Sequence, residues 1–349
     1  KQKTAYEIRL SLVGSEMCIR DRFGTNFALS SNVNIVGLGR VLFFDPILSD
    51  NQQRSCSSCH HPDKNFTDNL AKALDMNGAS LSRSTPTILN AAFQHGAGWS
   101  AHSVDVRAET HRALLDPAML GGTQNGVVSR LAGLPEYVAM FDAAFPDGVS
   151  ANNAIIALAA WISTAQLLNA PADRFLAGDV MALSAQQQRG FDLFFGRARC
   201  ATCHLPPTYG GTPGPQFTRT ELRVIGVPQD STAVLLDEDL GLGADTLNAE
   251  DNRAFKVPML RNIRETGPYM HNGAFASLAE VIEFYNAGGG PGFNLPVANA
   301  DPRMLPLGLT PTDIGDLNAF LDGLSDDVTP RPLAPSSVPS GLPVNGQGR

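Results

Sequence analysis

The sequence predicts a mainly α-helical protein in two similar halves, with long loops between the helices. Three observations point there. Apolar residues recur at helical spacing behind recognisable helix starts, alternating strand patterns are scarce, and one short cysteine–histidine pattern occurs twice.

The helices can be taken in chain order. Leu42-Phe43-Phe44-Asp45 reads as the end of a helix that runs into the first cysteine pair. Asn152 to Leu168 is rich in Ala, Ile and Leu with few polar breaks, as a buried helix would be. Ser184 with Gln187 forms a capping box that opens a helix through Phe195. Its end, Leu193-Phe194-Phe195-Gly196, echoes the first segment and delivers the chain to the second cysteine pair, a weak internal repeat. Ser277 with Glu280 opens another helix, with Leu278, Val281, Ile282 and Tyr285 on one face. Thr310 followed by Pro311 opens the last, striped by Ile314, Leu317, Phe320, Leu321 and Leu324. The Gly/Pro-rich stretches Pro206–Pro215 and Gly288–Pro306 read as loops.

A chain of 349 residues is long enough for two domains, here 23–170 and 171–325. Hydrophobic residues make up 43% and charged residues 17%, the balance of a soluble globular protein. No apolar run reaches the roughly 18 residues of a membrane span. A net charge of −8 argues against nucleic acid as a partner. Residues 1–22 differ in style from the rest of the chain and read as a non-native leader, which leaves Cys18 without a role and any signal peptide outside this chain. Residues 326–349 are rich in Pro, Ser and Gly and read as a disordered tail.

Four of the five cysteines stand in two copies of C-x-x-C-H: Cys56-Ser57-Ser58-Cys59-His60 and Cys200-Ala201-Thr202-Cys203-His204. This is the attachment pattern of c-type haem. Each cysteine forms a thioether with a haem vinyl group, and the adjacent histidine binds the iron through a neutral imidazole nitrogen. A zinc site could use the four thiolates but would not require a histidine after each pair. Disulfides or a thioredoxin-like pair leave the histidines unexplained. The pattern predicts two covalent c-type haems in two cytochrome c-like domains.

At this point the chain resembles the bacterial di-haem cytochrome c peroxidases and MauG-like enzymes, from about Gly37 to Leu324. The likeness rests on Gly39-Arg40-Val41-Leu42-Phe43-Phe44-Asp45, Arg83-Ser84-Thr85-Pro86-Thr87, Trp99, Leu114-Leu115-Asp116-Pro117 and Asp173-Arg174-Phe175-Leu176-Ala177-Gly178. It continues through Phe255-Lys256-Val257-Pro258-Met259-Leu260-Arg261-Asn262, Pro268-Tyr269-Met270-His271-Asn272-Gly273 and Phe284-Tyr285-Asn286. The resemblance implies an N-terminal haem that meets peroxide, a six-coordinate C-terminal haem that handles electrons, and a tryptophan between them, here Trp99. It implies a second ligand of the C-terminal iron fourteen residues after His271. There stands Tyr285, as in MauG-like proteins, where classical peroxidases carry methionine. A phenolate there holds iron in the ferric form and lowers the potential.

The departures are also specific. The mobile distal histidine of classical peroxidases is replaced by Met76, and residues 62–84 contain no histidine, so the N-terminal haem face is expected to be open. The family's distal glutamine and glutamate correspond to Glu109 and Met119. A thioether cannot move a proton, so Glu109 or His111 is the expected proton donor. The Asp-Gly-Arg that usually follows the tryptophan is Ser100-Ala101-His102. The family's interdomain calcium would fall to Ser84 and to the carbonyls of Thr266 and Pro268, with a hydroxyl in place of an amide.

The expected activity is peroxide reduction, with electrons drawn from a protein or small organic donor. The competing expectation is a non-catalytic di-haem electron carrier, which the missing glutamate favours. Haem is attached to C-x-x-C-H outside the bacterial cytoplasm, so a periplasmic protein is expected.

Overall fold

The computed structural model describes residues 31–211 and 220–344. The leader with Cys18, part of the Pro206–Pro215 loop and the last five residues lie outside the described residues. Eleven α-helices occur among those described. They are α1 (Val33–Phe44), α2 (Val106–Leu115), α3 (Gln124–Ala132), α4 (Pro135–Ala144), α5 (Ala151–Thr164), α6 (Pro171–Ala177), α7 (Ala185–Phe195), α8 (Leu242–Thr246), α9 (Leu278–Ala287), α10 (Gly289–Gly292) and α11 (Pro311–Asp322). The described sheet is one antiparallel pair of two-residue strands, β1 (Leu222–Arg223) and β2 (Phe255–Lys256).

Local chemistry places the helix ends. Ser184, Ser277 and Thr310 cap α7, α9 and α11 through the side chains of Gln187, Glu280 and Asp313. The helix expected to run to Leu168 stops at Thr164. Asn90 ends it: its backbone N–H donates to the Ala165 carbonyl (2.8 Å), and its side chain brackets the Leu167 N–H (2.8 Å) and carbonyl (3.1 Å). Chain that would have continued the helix is bonded across the domain instead.

Among the described residues two large cores form, each resting on one helix crossing, besides a smaller cluster of Val227, Ala274, Phe275 and Phe284. In the first, α1 lies across α5, burying Leu42, Phe43, Phe44 and Trp161. In the second, α7 lies across α11, burying Phe191, Phe194, Phe320 and Leu324. The repeat is deeper than the Leu-Phe-Phe triplet. Gly39 and Gly190 both stand three residues before it, and a Cβ at either would overlap a facing carbonyl, of Ala157 or of Asp316. Glycine therefore sets the approach distance of both crossings. Phe43, Phe44 and Phe194 are fully buried, where truncation to alanine costs about 3–5 kcal/mol.

Residues 326–344 are not a loose tail. Val338 is 6% exposed within the first core, Leu342 and Ala334 pack on it, and Arg40 donates to the Leu333 carbonyl (3.0 Å). Ser340 Oγ donates to the buried Asp45 carboxylate (2.6 Å), which also accepts from Tyr137 Oη (2.6 Å). The expectation of disorder is corrected over this stretch. A Pro/Ser/Gly composition disfavours helix and strand, but one buried valine and one buried carboxylate suffice to anchor extended chain. Among the described residues no helix is long and apolar enough to cross a membrane.

Candidate haem centres

Both C-x-x-C-H segments form a single 3₁₀ turn, Cys56–Ser58 and Cys200–Thr202; the second closely follows α7, while another 3₁₀ turn, Pro46–Leu48, lies between α1 and the first. In each turn the histidine N–H donates to the carbonyl of the first cysteine, at 3.0 Å for His60 and 2.9 Å for His204. This folds thiols and imidazole onto one side. Both turns face one continuous, mostly apolar cavity of about 1230 Å³. That exceeds the roughly 300–1,000 Å³ of ordinary small-molecule sites, as room for two large cofactors must.

The imidazoles are held in the tautomer that iron needs. His60 Nδ1 lies 3.0 Å from the Phe66 carbonyl, and His204 Nδ1 lies 3.1 Å from the carbonyls of Tyr209 and Pro258. A carbonyl only accepts, so Nδ1 carries the proton and Nε2 keeps its lone pair. Burial pushes both rings below the usual histidine value, His204 to about 4, so both are neutral at neutral pH. Burial also pushes the Cys56 and Cys200 thiols up to about 12. Among the described residues no cluster of three His, Cys, Asp or Glu side chains is placed to hold a metal ion, so the four cysteines do not gather into a zinc site. The residues present fit two c-type haems.

Tyr285 sits on α9 and faces the same cavity as His204. Burial raises its pKa first, then the charge of the nearby Cys203 and Cys200 thiols, and no hydrogen bond from a described residue lowers it. The phenol is thus delivered to the second C-x-x-C-H turn with its oxygen uncommitted. Met270, held at φ +70°, also lines the cavity and is the competing thioether.

Trp99 lines the cavity shared by the two motifs. Its Nε1 donates to the Ser84 carbonyl (2.9 Å), and its own carbonyl accepts from the Lys256 N–H (2.8 Å). Its ring meets His271 edge-on at 6.4 Å, and His271 stacks on Phe255 at 3.8 Å. His271 is fixed by Asp237 (3.2 Å), and its carbonyl accepts from the Ser84 N–H (2.6 Å). The tryptophan therefore sits in a stack stitched from both halves of the chain.

The N-terminal wall differs from expectation in three ways. Glu109 does line the cavity, and its charge is felt by His60. Yet it accepts from His102 Nε2 (2.9 Å), Ser103 Oγ (2.7 Å) and both arms of Arg112 (2.7 and 3.1 Å). Although burial opposes ionisation, the bonds from His102 and Arg112 and the Arg112 charge hold the carboxyl well below the usual range. It is a fixed anion, not a ready general acid. Second, His111 is exposed, contacts Gln124 and does not line the cavity. Two residues along a helix is a turn of about 200°, so a side chain at 111 cannot share the face of Glu109. Third, Met76 packs beside Gly121 outside the cavity, whereas Met119 lines it.

Ser84, Thr266 and Pro268 line the cavity too. Calcium takes about six to eight oxygens, carboxylates prominent among them. This set offers no carboxylate, and its Ser84 hydroxyl donates to the Met270 carbonyl (3.2 Å).

Two cavity residues were missed from the sequence. His102 was noted only as a departure, and Lys256 only as part of a motif. Burial pushes Lys256 down to about 8, and its ammonium reaches Gln94 and the Gly96 carbonyl (3.2 Å). A lone histidine beside an alanine carries no signal until its partners are folded against it.

Known proteins match the chain over most of its length. The family model described as di-haem cytochrome c peroxidase matches residues 34–181. The cytochrome-c peroxidase IdrP2 of Denitromonas iodatirespirans is 33% identical, over 86% of this chain and 84% of that protein. The methylamine utilization protein MauG of Methylorubrum extorquens is 34% identical, over 83% and 77%. A crystal structure of a MauG-like protein associated with microbial copper homeostasis superposes with a TM-score of 0.76 at 29% identity, covering 85% of this chain and 90% of that one. The di-haem peroxidase BthA of Burkholderia thailandensis shares the fold, with a TM-score of 0.69 at 21% identity.

Proposed function

The chain belongs to the di-haem cytochrome c peroxidase family, and we propose that it is a MauG-like enzyme that reduces hydrogen peroxide at its N-terminal half and takes electrons through its C-terminal half. The single observation that carries this reading is the one cavity faced by both C-x-x-C-H turns, with Trp99 in its wall. Bound there, two c-type haems would supply redox-active iron at both ends of the cavity.

The residues divide the work. His60 would hold the N-terminal iron, with Cys56 and Cys59 in thioether linkage; His204, Cys200 and Cys203 would do the same for the C-terminal one. Among the described residues Met76 does not line the cavity as a competing ligand for that iron, which leaves room for peroxide. Tyr285 would be the second ligand opposite His204, favouring the ferric form over ready acceptance of electrons from a small cytochrome. Trp99 would carry electrons between the two ends, bonded to both halves through Ser84 and Lys256. The donor is a redox protein or an organic molecule, and the protein works in the periplasm, where haem is attached to such motifs.

Rapid mixing of the purified haem-loaded chain with hydrogen peroxide tests the proposal. A spectral change that saturates with peroxide and reverses on adding a reductant is expected. The electron-carrier alternative gains from Met119 in the cavity wall and from the fixed anion at Glu109. It would be adopted if peroxide leaves the spectrum unchanged.

A further inference from the structure

A cation withdrawn from water needs a counter-charge, because neutral hydrogen bonds do not return what desolvation costs. Most cations of the cavity wall have one. Arg83, Arg112, Arg223, Arg261 and Arg303 all line the cavity, and each meets a carboxylate at 3.1 Å or closer. Lys256 does not. Its ammonium donates to the Gln94 side-chain oxygen and to the Gly96 carbonyl (3.2 Å), both neutral, and among the described residues no carboxylate pairs with it. The acid whose charge it feels is Glu109, but the Glu109 oxygens are taken by His102, Ser103 and Arg112. Burial pushes Lys256 down to about 8, and the Glu109 charge opposes this only in part. An ammonium carries three N–H donors, so one remains for a group inside the cavity that Lys256 lines.

The place suits one class of anion. Lys256 stands on the seam between the halves. Its N–H donates to the Trp99 carbonyl (2.8 Å), and its side chain crosses from β2 to Gln94 and Gly96 of the N-terminal half. Neither cysteine turn contributes to this seam. A c-type haem is tethered along one edge by its thioethers and carries its propionate carboxylates on the opposite edge. Haems held by both turns therefore direct those carboxylates away from the cysteines. Arg54 and Arg199 also lack an acid among the described residues. Each, however, stands beside a tethering cysteine and is spent on a main-chain carbonyl, of Leu74 (2.8 Å) and of Leu305 (3.0 Å). Lys256 is the cation placed for the far edge of a ring.

We propose that Lys256 binds a haem propionate at the seam beside Trp99, and that its charge holds up the reduction potential of that haem. This rests on two haems filling the cavity. The electrostatic sense is fixed: a cation beside the ring disfavours the more positive ferric state, and a carboxylate left without it favours that state. A propionate of either haem satisfies the chemistry, and the test tells them apart.

The test uses the haem-loaded full chain. In its crystal structure Lys256 Nζ should lie about 2.7–2.9 Å from a propionate oxygen, and the ring that bears this oxygen identifies the source. Lys256→Met keeps the length of the side chain and removes its charge. In spectroelectrochemical titration that haem should then show a lower potential than in the wild type, with the other little changed. A fall in both supports an ammonium shared by the two haems. Lys256→Arg, which keeps the charge, should recover part of the difference. An Nζ with no propionate oxygen in reach overturns the proposal. So do potentials unchanged in Lys256→Met at neutral and mildly alkaline pH. Should Lys256→Met fail to fold, Lys256→Gln and the wild-type structure decide in its place. An intact mass with fewer than two haems refutes the di-haem reading instead, so the two failures are told apart.

Discussion

Replacing Asp173 with alanine should destabilise the C-terminal half far more than a surface ion pair would suggest. Asp173 and Arg261 are 7% and 2% exposed and are joined by two bonds of 2.6 Å. Arg261 Nε also donates to the Pro207 carbonyl (2.8 Å), and its guanidinium lies 5.6 Å from the Tyr209 ring centre. The carbonyl of Tyr209 in turn holds His204 Nδ1. Arg261 thus ties α6 to the loop that orients the second haem ligand. Alanine at 173 leaves a guanidinium buried without its counter-charge, which costs about 3–5 kcal/mol. A domain of about 150–250 residues shifts about 2–4 °C per kcal/mol, so the second half should melt about 6–20 °C lower. Arg174→Ala, next in sequence, breaks an exposed pair with Asp327 and should cost below ~1 kcal/mol. The assay is thermal melting of the haem-loaded protein, followed by circular dichroism and by the absorbance of the C-terminal haem. If Asp173→Ala melts within about 2 °C of wild type, or no lower than Arg174→Ala, the buried pair does not carry this load.

Three further outcomes are expected. Tyr285→Phe removes an uncommitted hydroxyl, so the fold should be barely affected while the reduction potential of the C-terminal haem rises in spectroelectrochemistry; an unchanged potential would mean that Tyr285 is not a ligand. Met119→Glu puts a carboxyl in the cavity wall where the family has one and should speed the peroxide reaction in stopped-flow mixing; no gain would place the proton route wholly elsewhere. Glu109 and Asp237 are both held well below their ordinary values of 4.5 and 3.8, so on acidification the unfolded chain takes up protons first. Stability should be full above about pH 5 and fall steadily below it, read as a lower urea midpoint at about pH 3.5 than at about pH 6.

The fold was legible where chemistry is local. Capping boxes at Ser184, Ser277 and Thr310 and the paired C-x-x-C-H segments need only neighbours in sequence, and the helix ends and both turns lie where those signals put them. What was not legible depends on residues far apart. Asn90 ends α5 from more than seventy positions away, and Ser340 reaches Asp45 across most of the chain. Glu109 could be placed in the wall from a motif, but its state could not, because Arg112, His102 and Ser103 converge on it only after folding. His111 failed for a simpler reason: closeness in sequence on a helix is not closeness on a face.

The proposed function requires one open iron and one iron bound by Tyr285, both in the same cavity. The electron paramagnetic resonance spectrum of the ferric protein at neutral pH reads both irons at once. One high-spin signal is expected from the haem bound by His60, and one separate low-spin signal from the haem bound by His204 and Tyr285, the latter alone changing in Tyr285→Phe. Two low-spin signals in the wild type, both unaffected by that substitution, would contradict this assignment.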